Sequence, residues 1–344
     1  HLNDINVFPV ADGDTGTNLA ITMNNIVTEV FDYQKNSFEE MIQRIAKAAL
    51  SGARGNSGAI LAQFFQGLAE ATRGMSSLTT VTFSKAAVKA AEQATNAISN
   101  PREGTIITVM KEWAFYTNQL AHKTPDFVEL FKKSLAKAKK SLLETPDKLS
   151  VLKKAGVVDA GAEGFVNLLE GIVDFIEYGK LKTLQNNDSE SLTGVNRKNI
   201  SYSREQVKFR FCTECLLEGK DLDQTLIRKR LEGLGDSQVI AGSDEQIRVH
   251  IHTNQPDFVI SLVGSMGKVL ETKIDDMWEQ TEIINLKTGK RRVTLVADST
   301  CDLPDDLIQK YNIKLVPIAV SVNQENFLDR INISAKEVVD YLEN

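Results

Sequence analysis

Asn6-Val7-Phe8-Pro9-Val10-Ala11-Asp12-Gly13-Asp14-Thr15-Gly16-Thr17-Asn18 sets two carboxylates around one glycine and follows them with hydroxyls and an amide. Glycine lets the backbone turn so that Asp12 and Asp14 can face one point, and hard cations such as Mg²⁺ take such oxygen ligands. The run reads equally as a turn with a helix cap, Asp14 or Thr17 capping the helix that follows. The spaced ligands of an EF-hand loop are absent. From here the chain reads as helical: segments 18–33, 38–51, 57–73, 83–99, 105–121, 126–143 and 161–178 repeat apolar residues every three or four positions. Gly52-Ala53-Arg54-Gly55, Pro101-Arg102-Glu103-Gly104 and Thr145-Pro146 punctuate them. The pattern predicts one all-α bundle.

Three further polar loops fall at the starts of these helices. Gly52-Ala53-Arg54-Gly55-Asn56-Ser57-Gly58 offers backbone N–H groups at a helix N-terminus, where the helix dipole favours an anion, and Arg54 and Ser57 add donors. It lacks the Gly-Lys-Ser/Thr ending of a P-loop and also reads as a plain glycine-rich joint. Glu103-Gly104-Thr105 and Asp159-Ala160-Gly161-Ala162-Glu163-Gly164 each read alone as a helix start. Together the four loops supply carboxylates for a cation and several helix N-termini for phosphates. Phosphoryl transfer needs mainly such positioning and charge neutralisation.

The pattern then changes. Residues 183–203, rich in Asn, Ser and Asp, read as a linker. Val207-Lys208-Phe209-Arg210-Phe211 and Gln246-Ile247-Arg248-Val249-His250-Ile251-His252 alternate as strands do, and Asp223 to Leu234 and Pro256 to Val263 read as helices. This predicts a small α+β domain over 204–290. From Arg292 a strand (293–297), a loop, a helix (304–311) and a second strand (313–321) read as the start of an α/β domain over 291–344 that continues beyond Asn344. The opening at His1, without Met, reads as a trimmed N-terminus.

The 344 residues carry a net charge of −6, which argues against nucleic acid as the main partner. No apolar run is long enough for a transmembrane helix. Three cysteines make no disulfide framework, and a reducing cytoplasm is the simplest setting.

Cys212-Thr213-Glu214-Cys215 and His250-Ile251-His252 suggest zinc. The two histidines share one strand face. Val207, Phe209 and Phe211 mark an apolar face, onto which Cys215 falls and from which Cys212 points away. Cys212, His250 and His252 are therefore the candidate ligands and Cys215 a core residue. The alternative is a buried thiol beside two ordinary strand histidines.

The four loops resemble the nucleotide-binding domain of dihydroxyacetone-kinase-type proteins, in the version found in bacterial fatty-acid kinases. The resemblance rests on N-V-F-P-V-A-D-G-D-T-G-T-N at 6–18, G-A-R-G-N-S-G at 52–58, E-G-T at 103–105 and G-V-V-D-A-G-A-E-G at 156–164. It implies a barrel of antiparallel helices over 1–182 that binds ATP and two Mg²⁺ at one end. Asp12 and Asp14, with Asn6, would hold Mg²⁺ and serve catalysis. Thr17, Asn18, Asn56, Ser57, Gly58, Thr105, Asp159, Ala160 and Gly161 would surround the nucleotide. Ala11 stands where the family usually has a second proline.

F-C-T-E at 211–214 and H-I-H-T-N-Q-P at 250–256 resemble the middle domain of the same kinases, in which the cysteine and two histidines are linked to zinc. V-A-D-S-T-C-D-L-P at 296–304 resembles the opening of the DegV family, their fatty-acid-binding partners, with Ser299 and Thr300 near the lipid head group. The resemblance implies ATP-dependent phosphorylation of a fatty-acid carboxylate held by a DegV-type domain in cis or trans. It also implies a homodimer and at most peripheral membrane contact. The alternatives are a kinase for dihydroxyacetone or another small hydroxylated substrate, and a non-catalytic nucleotide- or lipid-sensing scaffold.

Overall fold

The computed structural model describes residues 1–10, 13–31, 33, 37–179, 207–281, 295–304, 307–308, 311, 313–322, 325–329, 333, 338–339 and 341–342. Asp12 and the expected linker 183–203 lie outside the described residues. The chain divides into a compact unit from His1 to Trp278 and a second from Glu279 to Asn344.

The first unit begins with helices α1 (Thr15–Val30), α2 (Phe38–Gly52), α3 (Gly55–Ala71), α4 (Thr80–Asn96), α5 (Ile106–Ala121) and α6 (Phe127–Leu143). Two short helices, α7 (Thr145–Lys148) and α8 (Ser150–Ala155), lead to α9 (Ala160–Tyr178). Each long helix packs on the next, and α9 packs on both α6 and α1, closing a ring. Short connections set the up-and-down order. Side-chain caps fix several starts: Ser37 for α2, Thr79 and Thr82 as a reciprocal box for α4, Asp126 for α6 and Asp159 for α9. α1 differs from expectation. Asp14 makes no cap bond, and Asn3 instead accepts from the Gly16 and Thr17 N–H groups at 2.6 and 3.1 Å. Phe64, Trp113 and Phe165 meet inside the ring with centroids 5.6–6.2 Å apart, in the tilted and edge-on geometry aromatic rings prefer.

A four-stranded antiparallel sheet follows, in the order β2-β3-β1-β4. Its strands are β1 (Phe211–Glu218), β2 (Gly235–Gly242), β3 (Gln246–Thr253) and β4 (Lys268–Asp276). Helix α10 (Gln224–Leu231) precedes β2 and α11 (Pro256–Gly264) precedes β4. Residues 207–210 form no strand, so the expected strand starts later, at Phe211. Side chains alternate across a sheet. Cys215, Leu217, Ile240, Ile247, Val249 and Ile251 face α10 and α11 in one core. Leu216, Val239 and Ala241 join the core of the helical ring. Strands β1, β2 and β3 are thus buried on both sides. Backbone pairing joins the two parts: Ile98 bridges Val239, Ser99 N–H donates to Gln238 O at 3.1 Å, and Ile240 N–H donates to Ala97 O at 2.9 Å.

In the second unit β5 (Val296–Asp298) pairs in parallel with β6 (Lys314–Val316), and β7 (Ala319–Val322) pairs antiparallel with β8 (Glu325–Leu328). The single strand expected over 313–321 is divided around Pro317, which has no N–H to give a ladder. No described helix is long and apolar enough to cross a membrane.

Candidate active site

Alternation decides which side chains meet. On β1 and β3, Cys212, Glu214, Arg248, His250 and His252 have the parity of the ring-facing residues. So do Glu271, Lys273 and Asp275 on β4, which register against β1. The ends of the ring helices that face this side carry the polar loops.

Two adjoining cavities lie there. The larger, about 500 Å³, falls within the size range of small-molecule sites. Asn56, Ser57, Thr105, Asp159 and Gly161 line it from the helices, and Val207, Lys208, Phe209 and Asp236 from the sheet domain. The smaller, about 30 Å³, has room for an ion or a water. Asn6, Asp14 and Asn18 line it from one side, and Cys212, Glu214, His250, His252, Lys273 and Asp275 from the other. Asn56, Ser57 and His252 border both cavities.

The first loop brings Asp14, Asn18 and buried Asn6 to the small cavity; Thr17 is exposed, its hydroxyl bonded by Asn3 at 2.9 Å. In the second loop, the first intrahelical bond runs from Gly58 N–H to Arg54 O, so the Gly55, Asn56 and Ser57 N–H groups have no partner within the helix. Gly55 sits at φ +61°, with Asn18 Nδ2 only 2.5 Å from where a Cβ would be. Gly58 lines neither cavity and lets α3 approach Thr22, whose hydroxyl would lie 2.6 Å from a Cβ. Arg54 turns to the sheet and pairs with Glu271 at 2.5 Å.

At the third and fourth loops, Thr105 donates to Arg102 O at 2.7 Å. Asp159 Oδ2 accepts from Ile106 N–H and Ala162 N–H at 3.0 and 2.9 Å, tying the starts of α5 and α9 together. Burial outweighs those two bonds and raises the Asp159 carboxyl to about 6. Gly161 brings α9 against α3, since a Cβ there would meet Ser57 Oγ at 2.8 Å. Ala160 is buried and lines neither cavity.

The ligand atoms of Cys212, His250 and His252 lie within 4.8 Å of one another. Burial, then the charge of His250, lowers His252 to about 3, which keeps its imidazole neutral as a metal needs. His250 Nε2 is buried without a hydrogen-bond partner. One thiol and two imidazoles suit zinc, with a fourth position left open. Glu214 Oε1 lies 3.0 Å from His250 Nδ1, and Asp236 Oδ1 lies 3.6 Å from His252 Nδ1. These are the outer carboxylates that orient metal-bound imidazoles. Cys215 is fully buried on the opposite face, and burial pushes its thiol up to about 11.

Sequence reasoning missed Glu214, Asp236, Lys273 and Asp275. Glu214 was within reach, two residues from Cys212 and hence on the same face. Burial tends to raise the Glu214 carboxyl, but the bond and charge of His250, the charge of Lys273 and the Gly55 N–H hold it well below its usual range. Burial tends to lower the Lys273 ammonium, but its pairing with Asp275 outweighs burial and raises it.

In the second unit, Ser299 is buried and its hydroxyl accepts from Ile318 N–H at 3.0 Å, while Thr300 bonds to Asp298.

Three family models match in succession: the DAK2 domain over 9–174, the middle domain of FakA-like fatty acid kinases over 208–284, and the DegV family over 292–344. The chain belongs to the FakA-like fatty acid kinase family. Relatives of this FakA-like chain include the uncharacterized protein SH1689 of Staphylococcus haemolyticus (strain JCSC1435), 34% identical over 288 residues. Another is the uncharacterized protein SAUSA300_1119 of Staphylococcus aureus (strain USA300), 32% identical over 285 residues. Each match covers 81% of this chain and 52% of the relative, so the chain spans about half the length of the curated relatives it matches.

Proposed function

We propose that this chain transfers the γ-phosphoryl group of ATP to a fatty-acid carboxylate presented by a DegV-type domain, giving an acyl phosphate. The observation that carries the reading is the pair of joined cavities. One is large enough for a nucleotide among the loop residues, and the other is ion-sized and lined by Asp14, Asn6 and Asn18.

In this reading Asn56, Ser57, Thr105, Asp159 and Gly161 surround the nucleotide. Arg54, Gly58, Thr17 and Ala160 shape the helix starts around it without lining a cavity. Asp14, with Asn6, offers oxygen ligands for Mg²⁺, and Asp12 completes the set by its place in the motif. Bound Mg²⁺ would offset the phosphate charge that builds up in transfer. The Asn56 and Ser57 N–H groups, at the positive end of α3, orient phosphate oxygens. A fatty-acid carboxylate is ionised near neutral pH and attacks without a general base. Cys212, His250 and His252 hold zinc in the adjoining wall. Ser299 and Thr300 belong to the lipid-facing loop, acting in cis or on a second copy in a cytoplasmic homodimer.

The test is ATP consumption with Mg²⁺, with and without oleate, trapping acyl phosphate as the hydroxamate. Oleate-dependent hydroxamate supports the reading. Turnover with dihydroxyacetone instead, or nucleotide binding without turnover, would replace it with a small-substrate kinase or a sensor.

A further inference from the structure

Glu214 belongs to the sheet domain, yet its carboxylate reaches the first turn of a ring helix. Oε1 accepts the Gly55 N–H at 2.6 Å and faces His250 Nδ1 at 3.0 Å. The side chain is 2% exposed, and Oε2 is buried without a hydrogen-bond partner in the wall of the small cavity. The sequence pattern leads one to expect a bound anion at the start of α3. The protein places a carboxylate of its own on the first of the three N–H groups there and leaves the next two for a ligand.

Two features make this contact stiff. Gly55 is held at φ +61° against Asn18, so the loop cannot slide without moving a residue that itself lines the small cavity. His250 shows the other end of the same chain of contacts, because its Nε2 is buried and unpartnered. A metal on Nε2 fixes the ring from one nitrogen while Glu214 fixes it from the other. Without the metal, the ring and the carboxylate bound to it lose that second anchor. The loss is passed to Gly55 and so to the Asn56 and Ser57 N–H groups.

We infer that Glu214 is a positioning residue that couples metal occupancy of the Cys212, His250 and His252 cluster to nucleotide binding at the start of α3. The inference rests on the nucleotide reading above. Coupling of this kind is reciprocal: the metal strengthens nucleotide binding by the same factor as the nucleotide strengthens metal binding.

The test uses the full chain, zinc-loaded or stripped with a zinc-selective chelator that is then removed. Isothermal titration gives the Kd for a non-hydrolysable ATP analogue with excess Mg²⁺. Competition with a chelating dye gives zinc affinity with and without that analogue. Loading with zinc is expected to tighten nucleotide binding by about fivefold or more, the low end of typical allosteric coupling. The nucleotide should tighten zinc by a matching factor.

Two variants separate reach from charge. Glu214→Gln keeps an oxygen at the same reach and retains a measurable ratio. Glu214→Asp keeps the charge but is one methylene too short to span Gly55 and His250, and its ratio falls to one. Equal Kd values for loaded and stripped wild-type chain overturn the inference, as does a ratio kept by Asp and lost by Gln. A chain that binds zinc but no nucleotide in either state overturns it together with the nucleotide reading.

Discussion

Arg248, on the central strand β3, donates through its guanidinium to the main-chain carbonyl of Ser51, 197 residues earlier, at 2.5 Å. Its Nε also reaches Leu50 O at 3.4 Å, and the side chain is 1% exposed. The last carbonyls of a helix have no partner of their own. Here the sheet supplies one to α2, immediately before the glycine-rich loop.

Arg248→Ala should therefore act on stability from a distance. It strands buried carbonyls and removes one partner of Glu271. A loss of about 3 kcal/mol is expected for such a buried network, read as a lower urea midpoint. A midpoint unchanged from wild type would refute the linkage.

Asp14→Asn should abolish Mg²⁺-dependent ATP turnover while the thermal transition stays where it was, because Asp14 makes no cap bond to α1. Asp12→Asn should behave alike if the motif pairs the two carboxylates. Full activity in the Asp14 variant would remove the metal assignment.

Asp159 predicts a pH effect opposite to that of a salt-bridged acid. Its folded value, about 6, lies above the ordinary 3.8. The folded chain then holds the proton more tightly than the unfolded one. The stability that this group adds is complete below pH 3.8 and is lost as pH rises through 6. A shift of this size is worth about 3 kcal/mol at most. Asp159→Asn keeps an oxygen for Ile106 and Ala162, so chemical denaturation without nucleotide should show a flatter profile between about pH 4 and 6. A profile identical to that of the wild type would count against the raised value.

The two cysteines of the C-x-x-C should separate cleanly. Cys212→Ala is expected to lose bound zinc, measured by atomic absorption after dialysis. Cys215→Ala is expected to keep it and to lose about 1 kcal/mol of stability from the vacated core position. Zinc retained by Cys212→Ala would indicate a different ligand set.

The long ring helices were legible because each repeats its apolar face every three or four residues, and their starts were off by a few residues where caps lie elsewhere in the chain, as Asn3 does for α1. β2 and β4 were not legible. β2 opens Gly-Asp-Ser, with no alternation, and β4 is an edge strand rich in charge, as exposed edges tend to be. The opposite facing of Cys212 and Cys215 follows from odd spacing on any strand, so it was readable although the strand itself begins later. That Asp14 and His250 share a cavity could not be read, because only tertiary packing brings the two segments together.

The paired backbone at Ala97–Ser99 and Gln238–Ile240 has a consequence for inheritance. Family models divide the first 284 residues into two separate modules, whereas the first compact unit runs unbroken from His1 to Trp278. Evolution can copy the modules separately, but each must keep the other's seam. A swapped middle domain would have to bring matching backbone to the end of α4, an arginine to the end of α2 and a carboxylate to the start of α3. Recombination between relatives is therefore expected to succeed only where those three contacts travel with the sheet.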